Sequence, residues 1–78
     1  MIPINRPRMK AGEVWGAPDN QGVISAFRMY RILEVRQSGC IFECRYICDA
    51  NENDKQYADL WYSCPYILKY WRKISEAD

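Results

Sequence analysis

The stretch Cys40-Ile-Phe-Glu-Cys-Arg-Tyr-Ile-Cys-Asp49 decides how this chain folds. Its even positions, Cys40, Phe42, Cys44, Tyr46 and Cys48, are all apolar or aromatic, while Glu43, Arg45 and Asp49 stand at odd ones. Side chains of a strand alternate between the faces of a sheet, so period-two patterning of this length reads as a half-buried strand. Upstream, Gln37-Ser38-Gly39 is a short turn, and Ala26–Arg36 is the partner strand of a long hairpin. Within that partner, Met29, Leu33 and Val35 share a parity with Phe27, whereas Tyr30 and Ile32 take the other. Arg31 interrupts the first set.

Working outward, Gly12-Glu-Val-Trp15 begins an ordered segment and reads as a short first strand. Gly16-Ala-Pro-Asp-Asn-Gln-Gly22 is dense in turn residues and reads as a loop. Residues 1–11, with Pro3, Arg6, Pro7, Arg8 and Lys10, read as an extended basic arm. Residues 12–75 then form a single domain and 76–78 a tail. Downstream of the hairpin, Ala50–Lys55 is a polar loop and Gln56–Trp61 a fourth strand.

From Ser63 onward two readings compete. Cys64, Ile67, Leu68 and Trp71 match helical spacing, with Ser63 as N-cap and Pro65 in the first turn. Alternatively, one helical turn over Pro65–Leu68 leads into a closing strand at Tyr70–Ile74. The core expected from these patterns is Trp15, Phe27, Leu33, Val35, Phe42, Cys44 and Trp71.

Three segments carry a family resemblance: Lys10-Ala-Gly-Glu-Val-Trp15, Tyr30-Arg-Ile-Leu-Glu-Val35 and Leu68-Lys-Tyr-Trp-Arg-Lys-Ile74. Their order resembles small SH3-like barrel proteins of the kind encoded by bacteriophages and prophages. In that family a GxxW opening strand leads into a YxVxxV-type strand, and the chain ends on a turn and a short strand. The resemblance covers roughly residues 10–74 and implies a mainly β, SH3-like barrel of about five strands with a short helical turn or helix near the C-terminus. It favours the closing strand over a C-terminal helix. Its motifs are packing signatures, so it transfers no site residues.

The chain has 78 residues, room for one small domain whose core is modest. Apolar and aromatic residues make up 49% and charged residues 27%, a globular rather than a disordered composition. Net charge is +1, with Asp49, Glu52, Asp54 and Asp59 grouped between basic flanks. The N-terminus has no apolar run suited to a signal peptide, and no stretch approaches a membrane span. The reading is a cytoplasmic protein, in the host cell if phage-encoded, with no membrane partner.

Several chemistries are set aside on the residues present. Cys40 and Cys48 would lie about 26 Å apart in a strand rising about 3.3 Å per residue. They would lie about 12 Å apart in a helix, and neither distance suits one ion with bonds of about 2.3 Å to sulfur. The cysteines are therefore expected to be buried core thiols; a single disulfide from Cys64 to one of the other three is the alternative. Asp49-Ala-Asn-Glu-Asn-Asp54 begins like a calcium loop, but Asp54 and Leu60 stand where that loop needs Gly and a bidentate Glu. There is no His, which removes the commonest general base, and no phosphate-binding glycine motif. No catalytic residue, metal site or cofactor is assigned.

The 14% aromatic content exceeds what a small core easily hides. Trp, Tyr and Arg also dominate interface hot spots. The sequence therefore points to a non-catalytic module that binds and modulates a larger protein, or to self-association. Trp61, Tyr62, Tyr66, Tyr70 and Arg72 are the candidate contacts. The alternative is a small β-barrel that binds nucleic acid through Arg6, Arg8 and Lys10 on the arm and Arg28, Arg36 and Arg45 on the hairpin.

Overall fold

A computed structural model describes residues 8–51 and 58–76. Five strands, β1 (Val14–Gly16), β2 (Met29–Ser38), β3 (Ile41–Ile47), β4 (Tyr62–Ser63) and β5 (Arg72–Ser75), form one antiparallel sheet. Their order is β4-β3-β2-β1-β5, so β4 and β5 are its edges and the sheet is not closed into a barrel. A helix, α1 (Cys64–Tyr70), joins the two edge strands. The mainly β class with a C-terminal helix is thus present, as an open sheet.

The β2–β3 hairpin is the largest unit, pairing Arg31 with Ile47 at one end and Ser38 with Ile41 at the other. Its turn is Gly39-Cys40, one step later than the expected Gln37-Ser38-Gly39. Gly39 has φ +61°, a left-handed conformation that costs glycine nothing because it has no Cβ.

The parity reading of β2 needs correction. The pairing runs Ile32 with Tyr46, then Glu34 with Arg45, leaving Leu33 as an extra residue between them. Such a β-bulge reverses which parity faces inward. Before it, Ile32 points into the core and is 1% exposed; after it, Val35 packs against that core. Leu33, expected inside, is half-buried. Phe27 is the clearest departure: Ala26–Arg28 is a 3-10 turn rather than strand, and Phe27 is 65% exposed.

The core consists of Met9, Trp15, Ile32, Cys44, Cys64 and Ile67, with Val35, Phe42, Tyr46, Tyr62, Leu68 and Trp71 packed around it. Met9 is fully buried although it falls in the segment read as an arm. Burying a side chain of this size contributes about 1.5–3 kcal/mol, so Met9 is part of what holds the domain together. Cys44, Cys48 and Cys64 are buried and joined in no disulfide, but Cys40 sits exposed in the hairpin turn and is not a core thiol.

The fourth strand also shifts. Gln56 and Tyr57 lie outside the described residues, Ala58 and Asp59 form a turn, and the strand itself is Tyr62–Ser63 opposite Glu43 and Cys44. At the C-terminus both readings are realised in succession. The helix runs the full seven residues with Pro65 in its first turn, and the closing strand follows from Arg72. Ser63 occupies the N-cap position, but its side chain makes no capping hydrogen bond.

Candidate binding surface

The five candidate contact residues do not form one cluster; the fold distributes them over three environments. Trp61 lies on the outer face of the hairpin. There Arg36 stands opposite Glu43 and Arg45 opposite Glu34, and each pair closes a salt bridge, at 3.0 and 2.7 Å. The Arg36 guanidinium lies 3.7 Å from the Trp61 ring centroid and that of Arg45 5.4 Å away. Arg45 also reaches Asp59 at 3.1 Å and the Ala58 carbonyl at 3.3 Å. Trp61 and Arg45 therefore pin the segment ahead of β4 onto the sheet, and Trp61 is spent on folding.

Tyr62 belongs to an aromatic chain on the inner side of the sheet. It stacks on Tyr46 at 4.4 Å between centroids, and Tyr46 meets Tyr30 and Trp71 edge-on at 4.9 and 5.2 Å. Trp71 in turn stacks on Tyr30 at 4.9 Å. Burial, together with the neighbouring Tyr62 and Tyr30 phenols, pushes the Tyr46 hydroxyl well above the ordinary tyrosine range. These rings seal the end of the core against β4 and the exit of α1.

Tyr66 and Tyr70 are different. On α1 the buried side is Cys64 and Ile67, with Leu68 half-buried. Tyr66 and Tyr70, four residues apart, project from the opposite side and are 60% and 53% exposed. Their rings touch at 4.8 Å between centroids, and the Lys69 ammonium lies 5.4 Å from the Tyr70 ring. Arg72 follows at the start of β5, exposed and without a partner among the described residues. The arrangement is two adjoining aromatic faces with one cation beside them, and a second exposed cation two residues further along the chain.

The basic residues of the nucleic-acid alternative fare unevenly. Arg6 lies outside the described residues, while Arg8 and Lys10 are exposed. Arg28 is not on the hairpin strand; in its 3-10 turn it donates to the carbonyls of Ala17 and Pro18 at 2.6 and 3.2 Å. Arg36 and Arg45 are held by the carboxylates described above. Arg31 is likewise engaged, making a two-pronged bridge to Asp49 at 2.9 and 3.0 Å. That bridge occupies the first carboxylate of the calcium-like stretch, and the rest of the stretch from Glu52 to Asp54 lies outside the described residues.

One buried polar site escaped the reading of the sequence. Glu13, 1% exposed, accepts hydrogen bonds from the Lys10 backbone N–H at 2.7 Å and the Trp15 indole N–H at 3.2 Å. It also pairs with the Lys73 ammonium at 3.1 Å. Burial alone would raise the Glu13 carboxyl, but these donors outweigh it and hold it below the usual carboxylate range. Glu13, immediately before β1, and Trp15 within it stand two residues apart, the spacing that puts side chains on one side of extended chain, and that is the available signal. Its partner at the other end of the chain was not visible.

Among the described residues, no group of three or more His, Cys, Asp or Glu side chains could hold a metal ion. No described helix is long and apolar enough to cross a membrane. Compared with known proteins, no family model, no curated protein and no solved structure matches the chain.

Proposed function

We propose that this chain is a non-catalytic binding module that docks on a larger protein through the outer side of α1. The observation that carries the reading is the Tyr66–Tyr70 pair, both residues more than half exposed and in mutual contact, with Lys69 against the Tyr70 ring and the exposed Arg72 following in sequence. Keeping two large aromatic faces in water is unfavourable, whereas burying them in a complex with Arg at their side is the composition of an interface hot spot. Trp15, Tyr30, Phe42, Tyr46, Trp61, Tyr62 and Trp71 pack against the core or the sheet, whereas this pair contributes little to the core.

The SH3-like reading belongs to the same proposal. It draws support from the strand order, in which the last strand returns beside the first after a helical segment. A phage or prophage accessory protein that occupies a surface on a bacterial or phage protein is the biological role that this reading implies. The nucleic-acid alternative draws less support, because Arg36 and Arg45 are neutralised by Glu43, Glu34 and Asp59.

The test is site-specific photo-cross-linking. A benzophenone amino acid placed at Tyr66 in the full chain, expressed in bacteria, should capture a discrete polypeptide. The same probe at Ser38, the exposed last residue of β2, should not. Equal labelling from both positions, or a covalent dimer of the chain alone, would remove the heteromeric docking reading; the second result would assign the surface to self-association.

A further inference from the structure

The cations of the described residues fall into two groups. Arg31, Arg36, Arg45 and Lys73 each meet a carboxylate within 3.1 Å, and Arg28 is held by the Ala17 and Pro18 carbonyls. Arg8, Lys10, Lys69 and Arg72 are exposed, and their side chains meet no carboxylate among the described residues. The fold brings this second group together from both ends of the chain. Lys69 lies on α1, and Arg72 opens β5. Arg8 and Lys10 flank Met9, whose Sδ lies 4.0 Å from the Sγ of Cys64, the first residue of α1. The Lys10 backbone also donates to Glu13, the carboxylate that holds Lys73 of β5.

Carboxylates are scarce in the same place. The run from Cys64 to Ser75 contains Lys69, Arg72 and Lys73 and no Asp or Glu. Glu13 and Glu76, which reach β5, are both engaged by Lys73, at 3.1 and 3.3 Å. The helix that presents the exposed Tyr66–Tyr70 pair therefore sits in a positive stretch that the chain does not neutralise, although it neutralises its hairpin arginines.

Resting on the docking role of α1, we propose that the partner's contact segment is an acidic stretch of polypeptide. Its Asp and Glu side chains pair with Lys69 and Arg72, around an apolar side chain seated on Tyr66 and Tyr70. Complementary charge steers the encounter and fixes the register, while the rings supply the buried area. The Arg72 guanidinium suits a carboxylate in particular, because its planar fork donates two parallel hydrogen bonds.

A nucleic acid is the competing polyanion. It needs a run of phosphate contacts and open aromatic faces for successive bases. The Tyr66 and Tyr70 rings are instead tilted 47° with centroids 4.8 Å apart, so each covers part of the other. On α1 and β5 the cations left without a carboxylate among the described residues are Lys69 and Arg72, enough for a short acidic segment but not for a phosphate track.

The experiment uses the full chain with the benzophenone probe at Tyr66, expressed in bacteria, and sequences the captured polypeptide across the cross-link by mass spectrometry. Asp and Glu should outnumber Lys and Arg over about three residues on either side of the attachment point, one screening length of about 10 Å in extended chain. Lys69→Glu/Arg72→Glu should lower capture about tenfold at low salt, because two attractive pairs become repulsive, while the variant stays folded by thermal melt. Ser38→Glu, which adds the same charge at the end of β2, should leave capture unchanged. Added salt should weaken capture by the unsubstituted chain and change that of the double variant little. A neutral or basic captured segment, full capture by the folded double variant, or capture abolished by nuclease would overturn the acidic partner while a polypeptide is still cross-linked. Capture of no polypeptide at all would defeat the docking reading itself, and this proposal with it.

Discussion

Glu13 and Lys73 come from the two ends of the described chain and meet at 3.1 Å across the β1–β5 pair. The carboxylate is buried and also holds the Trp15 indole and the Lys10 backbone, so one side chain ties the opening turn, the core tryptophan and the closing strand together.

This arrangement makes the fold acid-sensitive in a defined direction. The folded Glu13 carboxyl titrates below its ordinary value near 4.5. Its contribution is therefore fully present above about pH 4.5 and is lost as pH falls through the lowered folded value. Glu13→Gln should cost about 1–3 kcal/mol at neutral pH by urea denaturation. It should also flatten the acid limb of the stability profile. Lys73, whose pKa the Glu13 carboxylate raises, works on the alkaline side: its contribution is present below its ordinary value and fades as pH rises through the raised one.

The bulge at Leu33 predicts an order of core sensitivities. Ile32→Ala should destabilise by about 2–4 kcal/mol and Leu33→Ala by about 1 kcal/mol, whereas Phe27→Ala should stay within about 0.5 kcal/mol. Urea denaturation of the three variants decides this. Comparable costs at Phe27 and Ile32 would contradict the observed register.

That order bears on what the sequence could reveal. The strict alternation of β3 was legible because no bulge interrupts Phe42, Cys44 and Tyr46. In β2 the signal was present but differently coded: Tyr30, Ile32 and Val35 are spaced by two and then three, which is the footprint of one extra residue. Fixed parity could not express it. The Glu13–Lys73 tie was silent, because a carboxylate acquires meaning only from a partner supplied by the fold. Among the candidate contacts, cross-strand packing claimed Trp61 and Tyr62, and composition alone could not separate them from Tyr66 and Tyr70.

Gly16 is needed for close approach. A Cβ built there would lie 2.6 Å from Ile24 Cγ2 and 3.1 Å from Ile74 Cδ1. Gly16→Ala should lower stability by about 1–3 kcal/mol through overpacking between β1 and the loop before β2. Removing the obstructing side chain with Ile24→Ala, which takes away Cγ2 and Cδ1 together, should make Gly16→Ala cost less in that background than in the unsubstituted chain, as read by thermal melts.

The outer-face contact between Arg36 and Trp61 should appear as a coupling. A double-mutant cycle with Arg36→Ala and Trp61→Ala should give about 0.5–1 kcal/mol of interaction energy, the size of a partly exposed cation–π contact. Arg72→Ala, with no partner among the described residues, should change stability by less than about 0.5 kcal/mol.

The docking surface on α1 is tested most directly by separating binding from folding in one variant, Tyr66→Ala/Tyr70→Ala/Arg72→Ala. Thermal melts and quantitative capture of the polypeptide cross-linked through position 66 are measured side by side with the unsubstituted chain. The predicted result is a cooperative melt shifted by only a few degrees, with capture reduced at least about 30-fold, as expected when aromatic anchors worth about 2 kcal/mol or more are removed. Undiminished capture by the folded triple variant would contradict the account.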